Sequence, residues 1–185
     1  MRRINDAHHA RFLTFSTYQN LNLFGSEALR DTFSAQLCRT RSLQSFSLYA
    51  WVLMPNHVHL LIRDQESGQV ERMLRSLKAT VARTILARWR ELDAPVLEHL
   101  IDRRGNTRFW QRGGGHDRNI VSNNEFDEKI GYIHMNPVRA QLANSPTDWA
   151  WSSARWWYGD REGEIQCDHI FDPKESKTTP SGHPD

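Results

Sequence analysis

Phe46-Ser47-Leu48-Tyr49-Ala50-Trp51-Val52-Leu53-Met54-Pro55-Asn56-His57-Val58-His59-Leu60-Leu61-Ile62-Arg63 reads as two β-strands joined by a tight turn. Aromatic and aliphatic residues fill Phe46 to Leu53, and His57 to Arg63 forms the second arm. Between them Pro55 cannot donate to a ladder and Asn56 tolerates turn geometry, so the two arms form an antiparallel hairpin. Side chains on a strand alternate faces, so His57 and His59 project from one side while Val58 points to the other. Two imidazoles held in parallel on a rigid strand form half of a divalent-metal site. The plainer alternative is a strand with two partly exposed histidines.

Working outward, Arg11 to Thr17 alternates apolar and polar residues and predicts a first strand. A helix follows from near Ser26, with Ala28, Leu29, Phe33 and Leu37 at helical spacing. The clearest helix spans Gln69 to Leu92, where Val70, Met73, Leu74, Leu77, Val81, Ile85 and Leu92 share one face. Arg72, Arg83 and Arg90 occupy the opposite face, which suits either a phosphate backbone or plain solvent. Arg88 falls toward the apolar stripe and must snorkel or pair. Residues 93–108 read as irregular, Phe109-Trp110-Gln111-Arg112 as a short strand, and Gly113-Gly114-Gly115 as an open loop, with Ile120-Val121 continuing the fourth strand. Ser122-Asn123-Asn124-Glu125 has capping-box spacing for a further helix, which Pro137 is expected to end. The order β-α-β-β-α-β plus a helix predicts an α+β, ferredoxin-like (RRM-like) sandwich with an antiparallel sheet and an additional C-terminal helix.

Composition narrows the class. The 185 residues are 38% hydrophobic and 25% charged, ordinary for one globular domain. We place that domain at 10–158 and a polar, acidic, partly disordered tail at 159–185. No apolar run nears the roughly 18 residues of a membrane span, and the N-terminus lacks a signal-peptide pattern. Cys38 and Cys167 have no metal-type spacing, so a cytoplasmic protein with free thiols is expected. Residues 160–185 hold seven acidic and three basic side chains, leaving 21 basic against 15 acidic in 1–159. That basic body, rich in Arg, permits nucleic-acid binding. The 7 Trp suit base stacking, although packing is the commoner role.

Downstream, Gly131-Tyr132-Ile133-His134-Met135-Asn136-Pro137-Val138-Arg139-Ala140 puts Tyr132 and Asn136 four apart, on one helix face. His134 falls on another face, away from any metal. Together with Pro55-Asn56-His57-Val58-His59, Phe109-Trp110-Gln111-Arg112-Gly113 and Trp149-x-Trp151-Ser152-Ser153, this segment resembles the single-tyrosine HUH transposases, in particular the REP-associated tyrosine transposases. The resemblance runs from about Arg11 to Trp157. It implies that His57, His59 and Asn136 hold Mg²⁺ or Mn²⁺ and that Tyr132 is the nucleophile. The implied reaction cleaves and rejoins single-stranded DNA beside palindromic hairpins through a 5′-phosphotyrosine, and so performs DNA transposition or recombination. The enzyme would act as a monomer or homodimer, at the nucleoid through its DNA. Imidazole suits Mn²⁺ better than Mg²⁺, so weak Mg²⁺ or tighter Mn²⁺ binding is expected, with an apo form that folds.

Gln111 and His116 are auxiliary candidates, and Gly131 leaves room for a strand to approach. Arg72, Arg83, Arg90, Arg112, Arg118 and Arg139 are candidate DNA contacts. The chain departs from the family pattern at Gln141-Leu142, where Gly-Leu is common, and at His116, where an aromatic residue is expected. Two other readings fit the same fold: a non-catalytic binder of single-stranded nucleic acid, and a plasmid replication or transfer HUH nuclease.

Overall fold

The computed structural model describes residues 9–64, 66, 68–113, 115–161, 163 and 165–168. Four strands, β1 (Ala10–Ser16), β2 (Phe46–Leu53), β3 (His57–Asp64) and β4 (His116–Ile120), form one antiparallel sheet in the order β2-β3-β1-β4. Helices α1 (Glu27–Leu43) and α2 (Gln69–Glu91) lie on one face, and α3 (Asn123–Arg139) lies on the other. A short α4 (Ala154–Trp157) follows. The predicted ferredoxin-like arrangement is therefore the one observed.

Sheet pairing explains the two cores. Leu13, Phe15, Trp51, Val58, Leu60 and Ile62 point toward α1 and α2, where they meet Phe33, Leu37, Met73, Leu77 and Val81. The alternate residues, including Phe12, Val52 and Leu61, pack against Phe126, Ile130 and Ile133 of α3. Both faces of β1 and β3 are thus covered, so nearly every residue of β3 is buried.

Three local expectations need correction. Phe109–Arg112 is no strand: only Trp110 bridges to Thr17, because its indole turns under the sheet and donates to Lys78 O at 2.8 Å. The fourth strand is His116–Ile120 instead, ending before Val121. Pro137 lies inside α3 and does not end it. Proline φ is compatible with a helix, and the last turn closes through Ala140 N to Asn136 O and Leu142 N to Pro137 O.

The helix start at Ser122 follows the expected cap. Ser122 Oγ accepts from Glu125 N, while Glu125 Oε2 accepts from Val121 N. Arg88 snorkels outward and pairs with Glu91 at 3.1 Å.

The folded region also passes the boundary drawn at 158. Ile165 and Cys167 are buried, and Asp168 bonds Leu48 at both its N–H and its carbonyl, as well as Arg41. Acidic residue 168 is therefore part of the fold, and the tail beyond it, including the stretch from about Thr178, lies outside the described residues.

The Trp-rich segment seals the outer edge of β2. Leu53 N donates to Trp151 O and Ser153 N to Trp51 O, both at 2.9 Å. Trp149 donates to Leu53 O and Trp157 to Tyr49 O. These indoles are structural. Arg11, on β1 with 2% of its surface exposed, binds Asp64, Glu71 and Asp117 and so joins β1, β3, α2 and β4. Among the described residues no helix is long and apolar enough to cross a membrane.

Candidate active site

On the α3 face, β-pairing sets His57 opposite Ser16 and His59 opposite Thr14. The two imidazole centroids stand 4.8 Å apart. Asn56 Oδ1 lies 2.6 Å from His57 Nδ1, and Thr14 Oγ1 lies 2.7 Å from His59 Nδ1. Each ring is thereby oriented through Nδ1, which leaves Nε2 for another partner. His59 Nε2 is buried and makes no well-formed hydrogen bond, with the Asn136 carboxamide the polar group that faces it. A buried, unpaired ring nitrogen is costly unless something binds it.

Tyr132 reaches the same place from α3. Its ring is 5.4 Å from that of His59 and 5.8 Å from Phe12, which also stacks on His59 at 5.3 Å. Helical spacing then sets Asn136 one turn along, where its Nδ2 donates to Tyr132 O at 2.9 Å. That bond uses one of the two carboxamide N–H groups and anchors the amide facing His57 and His59, where Oδ1 is its atom able to ligate a cation.

Electrostatics favour neutral imidazoles here. Burial lowers the pKa of His57, with the Asn136 carboxamide acting in the opposite sense. Burial and then the charge of His57 push His59 down to about 3, again opposed by Asn136, with a smaller contribution from His116. A neutral imidazole is the form that ligates metals. The orphaned Nε2, the adjacent ring and the carboxamide thus fit a divalent cation, although among the described residues no three His, Cys, Asp or Glu side chains form a metal cluster. The third donor is an amide oxygen, from Asn136.

The remaining candidates separate. Arg139 lies over the Tyr132 ring at 5.2 Å. His116 begins β4 opposite Thr14 and meets Phe12 edge-on at 6.1 Å. Gln111 accepts from Gln19 N at 3.0 Å, away from the histidines. Arg118 pairs with Glu125 at 2.6 Å, and Arg112 is exposed. Arg72, Arg83 and Arg90 lie on the exposed side of α2, across the sheet from Tyr132. His134 is buried with Nε2 2.9 Å from Ser153 Oγ, apart from the paired histidines as expected. A Cβ on Gly131 would meet nothing within 4 Å, so that side of the helix is open.

Sequence reasoning passed over Thr14, Phe12 and Lys129. Lys129 places Nζ 5.4 Å from the Phe12 ring and 5.8 Å from Tyr132. Its position three residues before Tyr132 was the available signal.

The family model described as "Transposase IS200 like" matches residues 8–134. A solved structure described as a REP-associated tyrosine transposase bound to a REP hairpin aligns with a TM-score of 0.66 at 16% identity, covering 93% of each chain. A crystal structure described as a transposase from Deinococcus radiodurans R1 aligns at 0.46 and 18% identity, over 72% of this chain and 95% of that one. No curated protein matches the chain.

Proposed function

We propose a mechanism from the premise that this chain belongs to the IS200-like transposase family and is a DNA-cleaving transposase. The substrate is single-stranded DNA next to a hairpin, and the nucleophile is Tyr132. The observation that carries this reading is the Tyr132 ring beside His59, whose buried Nε2 makes no well-formed hydrogen bond and faces the Asn136 carboxamide.

His57, His59 and Asn136 would hold Mg²⁺ or Mn²⁺. When bound, such a cation neutralises charge on the scissile phosphate and orients it for in-line attack. Thr14 and Asn56 keep the rings aligned through their Nδ1 contacts. Tyr132 oxygen forms a bond to phosphorus as the bond from phosphorus to the 3′ oxygen breaks. The phenol proton passes to water, since no described side chain hydrogen-bonds that hydroxyl, and the departing 3′ oxygen takes up a proton from solvent. The products are a 5′-phosphotyrosine and a free 3′-OH. The ester conserves the phosphodiester energy, so attack by another 3′-OH rejoins strands without a nucleotide cofactor. Arg139 and Lys129, both beside the Tyr132 ring, stabilise the negative charge that develops.

Tyr132 and His59 approach each other within one chain, which supports a monomer acting in cis. The sealed outer edge of β2 supports the same reading, because it offers no free ladder to a second copy.

Incubation with a pool of single-stranded hairpins and Mn²⁺ should yield a covalent protein–DNA adduct. Tyr132→Phe should abolish the adduct and keep binding. An adduct formed by the phenylalanine protein would refute the nucleophile, and binding with no adduct from the native chain would favour the non-catalytic binder.

A further inference from the structure

Tyr132 and Asn136 stand on the stretch of α3 least able to hold them by itself. Gly131, just before Tyr132, weakens the helix, and a Cβ there would meet nothing within 4 Å. Pro137, just after Asn136, has no N–H, so the helical rung from residue 137 to residue 133 is missing. Phe126, Ile130 and Ile133 pack α3 on the sheet. Such apolar burial is non-directional, and it resists separation more than it resists a small roll about the helix axis.

His134 lies midway between that glycine and that proline, and it is buried. At 100° per residue it falls roughly 200° round the helix from Tyr132, on the far flank of the apolar stripe. Its Nε2 is 2.9 Å from Ser153 Oγ. Burial lowers its pKa to about 4, so the ring is neutral, with one donor and one acceptor nitrogen. Ser153 is itself fixed to β2. Its N–H donates to Trp51 O and its hydroxyl accepts from Trp51 N, both at 2.9 Å. The single hydroxyl proton has two acceptors in reach, Nε2 and, at 3.2 Å, Trp51 O. If it goes to Nε2 the ring accepts, and if it goes to Trp51 O the other tautomer donates to Oγ, so the bond survives either choice. The Trp157 and Tyr158 rings flank the imidazole at centroid distances of 6.4 and 6.5 Å.

A hydrogen bond is directional where apolar packing is not. A roll of about 10° moves a group at the rim of a helix, roughly 5–6 Å from its axis, by about 1 Å. Misplacement on that scale can cost a catalysed step about a hundredfold. We propose that His134 is a positioning residue for strand cleavage: its bond to Ser153 fixes the rotation of α3, and with it the place of Tyr132 and Asn136 before His57 and His59. The edge of β2 thereby aims a nucleophile carried on the other flank of the helix. This assignment rests on the reading of Tyr132 and Asn136 above and adds to it a residue remote from the reacting atoms.

The test compares His134→Gln, His134→Asn and His134→Leu in the full-length protein. Glutamine puts a polar atom near the place of Nε2, asparagine stops short of Ser153, and leucine fills the space without polarity. Single-turnover adduct formation is measured at saturating hairpin DNA and Mn²⁺, at a temperature where circular dichroism shows each variant folded. The leucine and asparagine variants should be slower by about 10- to 100-fold, with hairpin affinity unchanged. Their Mn²⁺ affinity by calorimetry should fall by roughly tenfold, because Asn136 turns with the same helix. His134→Gln should restore both. Ser153→Ala should slow the step as His134→Leu does, and the two together should cost no more than either alone. A native rate in His134→Leu, a loss that His134→Gln does not restore, or losses that multiply in the double variant would each overturn the assignment. If His134→Leu does not fold, the two polar variants decide, and equal rates for glutamine and asparagine overturn it. A native adduct with an unchanged leucine rate removes the positioning role alone. No adduct from the native protein, with Mn²⁺ affinity lost in His134→Leu and regained in His134→Gln, keeps His134 as the residue that seats Asn136 and removes the cleavage reading.

Discussion

Thr14→Val isolates the hydrogen bond that aligns His59. For Nε2 of His59 to bind a cation, Nδ1 must carry the ring proton and donate it to Thr14 Oγ1, 2.7 Å away. Valine has nearly the same shape and no acceptor, so packing survives while Nδ1–H is left unpaired in a residue only 4% exposed. An unsatisfied buried donor costs about 1–3 kcal/mol. The loss of a partner that orients a metal-bound histidine costs roughly 10- to 100-fold in metal affinity. At about 1.4 kcal/mol per tenfold the two ranges agree. Calorimetric titration with Mn²⁺ should show this weakening in Thr14→Val and near-native affinity in Thr14→Ser. Adduct formation by the valine variant should be poor at limiting Mn²⁺ and recover at saturating Mn²⁺. A valine variant binding Mn²⁺ within about twofold of native would refute the argument that this hydroxyl orients a ligand.

Other consequences can be checked directly. Arg11→Met leaves three carboxylates without their shared cation and should cost about 3–5 kcal/mol in urea unfolding near pH 7.5, a large share of a typical domain's stability. Burial already raises the Asp64 pKa against the pull of Arg11, so its removal raises it further, and the folded variant then takes up protons before the unfolded chain does. Its deficit should therefore shrink as the pH falls toward 5, and a deficit that grows instead would exclude carboxylate repulsion as the cause. Lys129→Gln should slow adduct formation by roughly tenfold with hairpin binding retained; an unchanged single-turnover rate would remove Lys129 from the reaction. Burial pushes the Cys167 thiol up to about 12, so it should resist alkylation at pH 8 until the chain unfolds. Rapid labelling of native protein, read by mass spectrometry, would show that the segment around Cys167 is not held down.

Alternation along His57–His59 placed both imidazoles on one face, and the 3.6-residue period placed Tyr132 with Asn136, so the two halves of the site were legible before any coordinates. Their meeting was not. It depends on register, which pairs Thr14 with His59, and on the sheet face that α3 covers. Neither follows from a local pattern. Arg11 looked like an ordinary polar strand residue because its partners, Asp64, Glu71 and Asp117, come from three distant elements. The same limit affected Arg72, Arg83 and Arg90. Helical periodicity showed which side of α2 stays wet, but not that this side lies across the sheet from Tyr132. Phe109–Arg112 has strand-like composition because its aromatics fill a core with Phe15, Phe24 and Trp89, and packing there outcompeted a ladder.

The Ser153 hydroxyl accepts from Trp51 N and lies within hydrogen-bond distance of Trp51 O and of His134 Nε2. A hundred residues of polypeptide separate the ends of that clasp, so during synthesis the helix bearing Tyr132 leaves the ribosome before its last tether exists. A nascent chain halted before Ser153 would therefore lack the clasp that ties the helix bearing Tyr132, through His134, to the outer edge of β2.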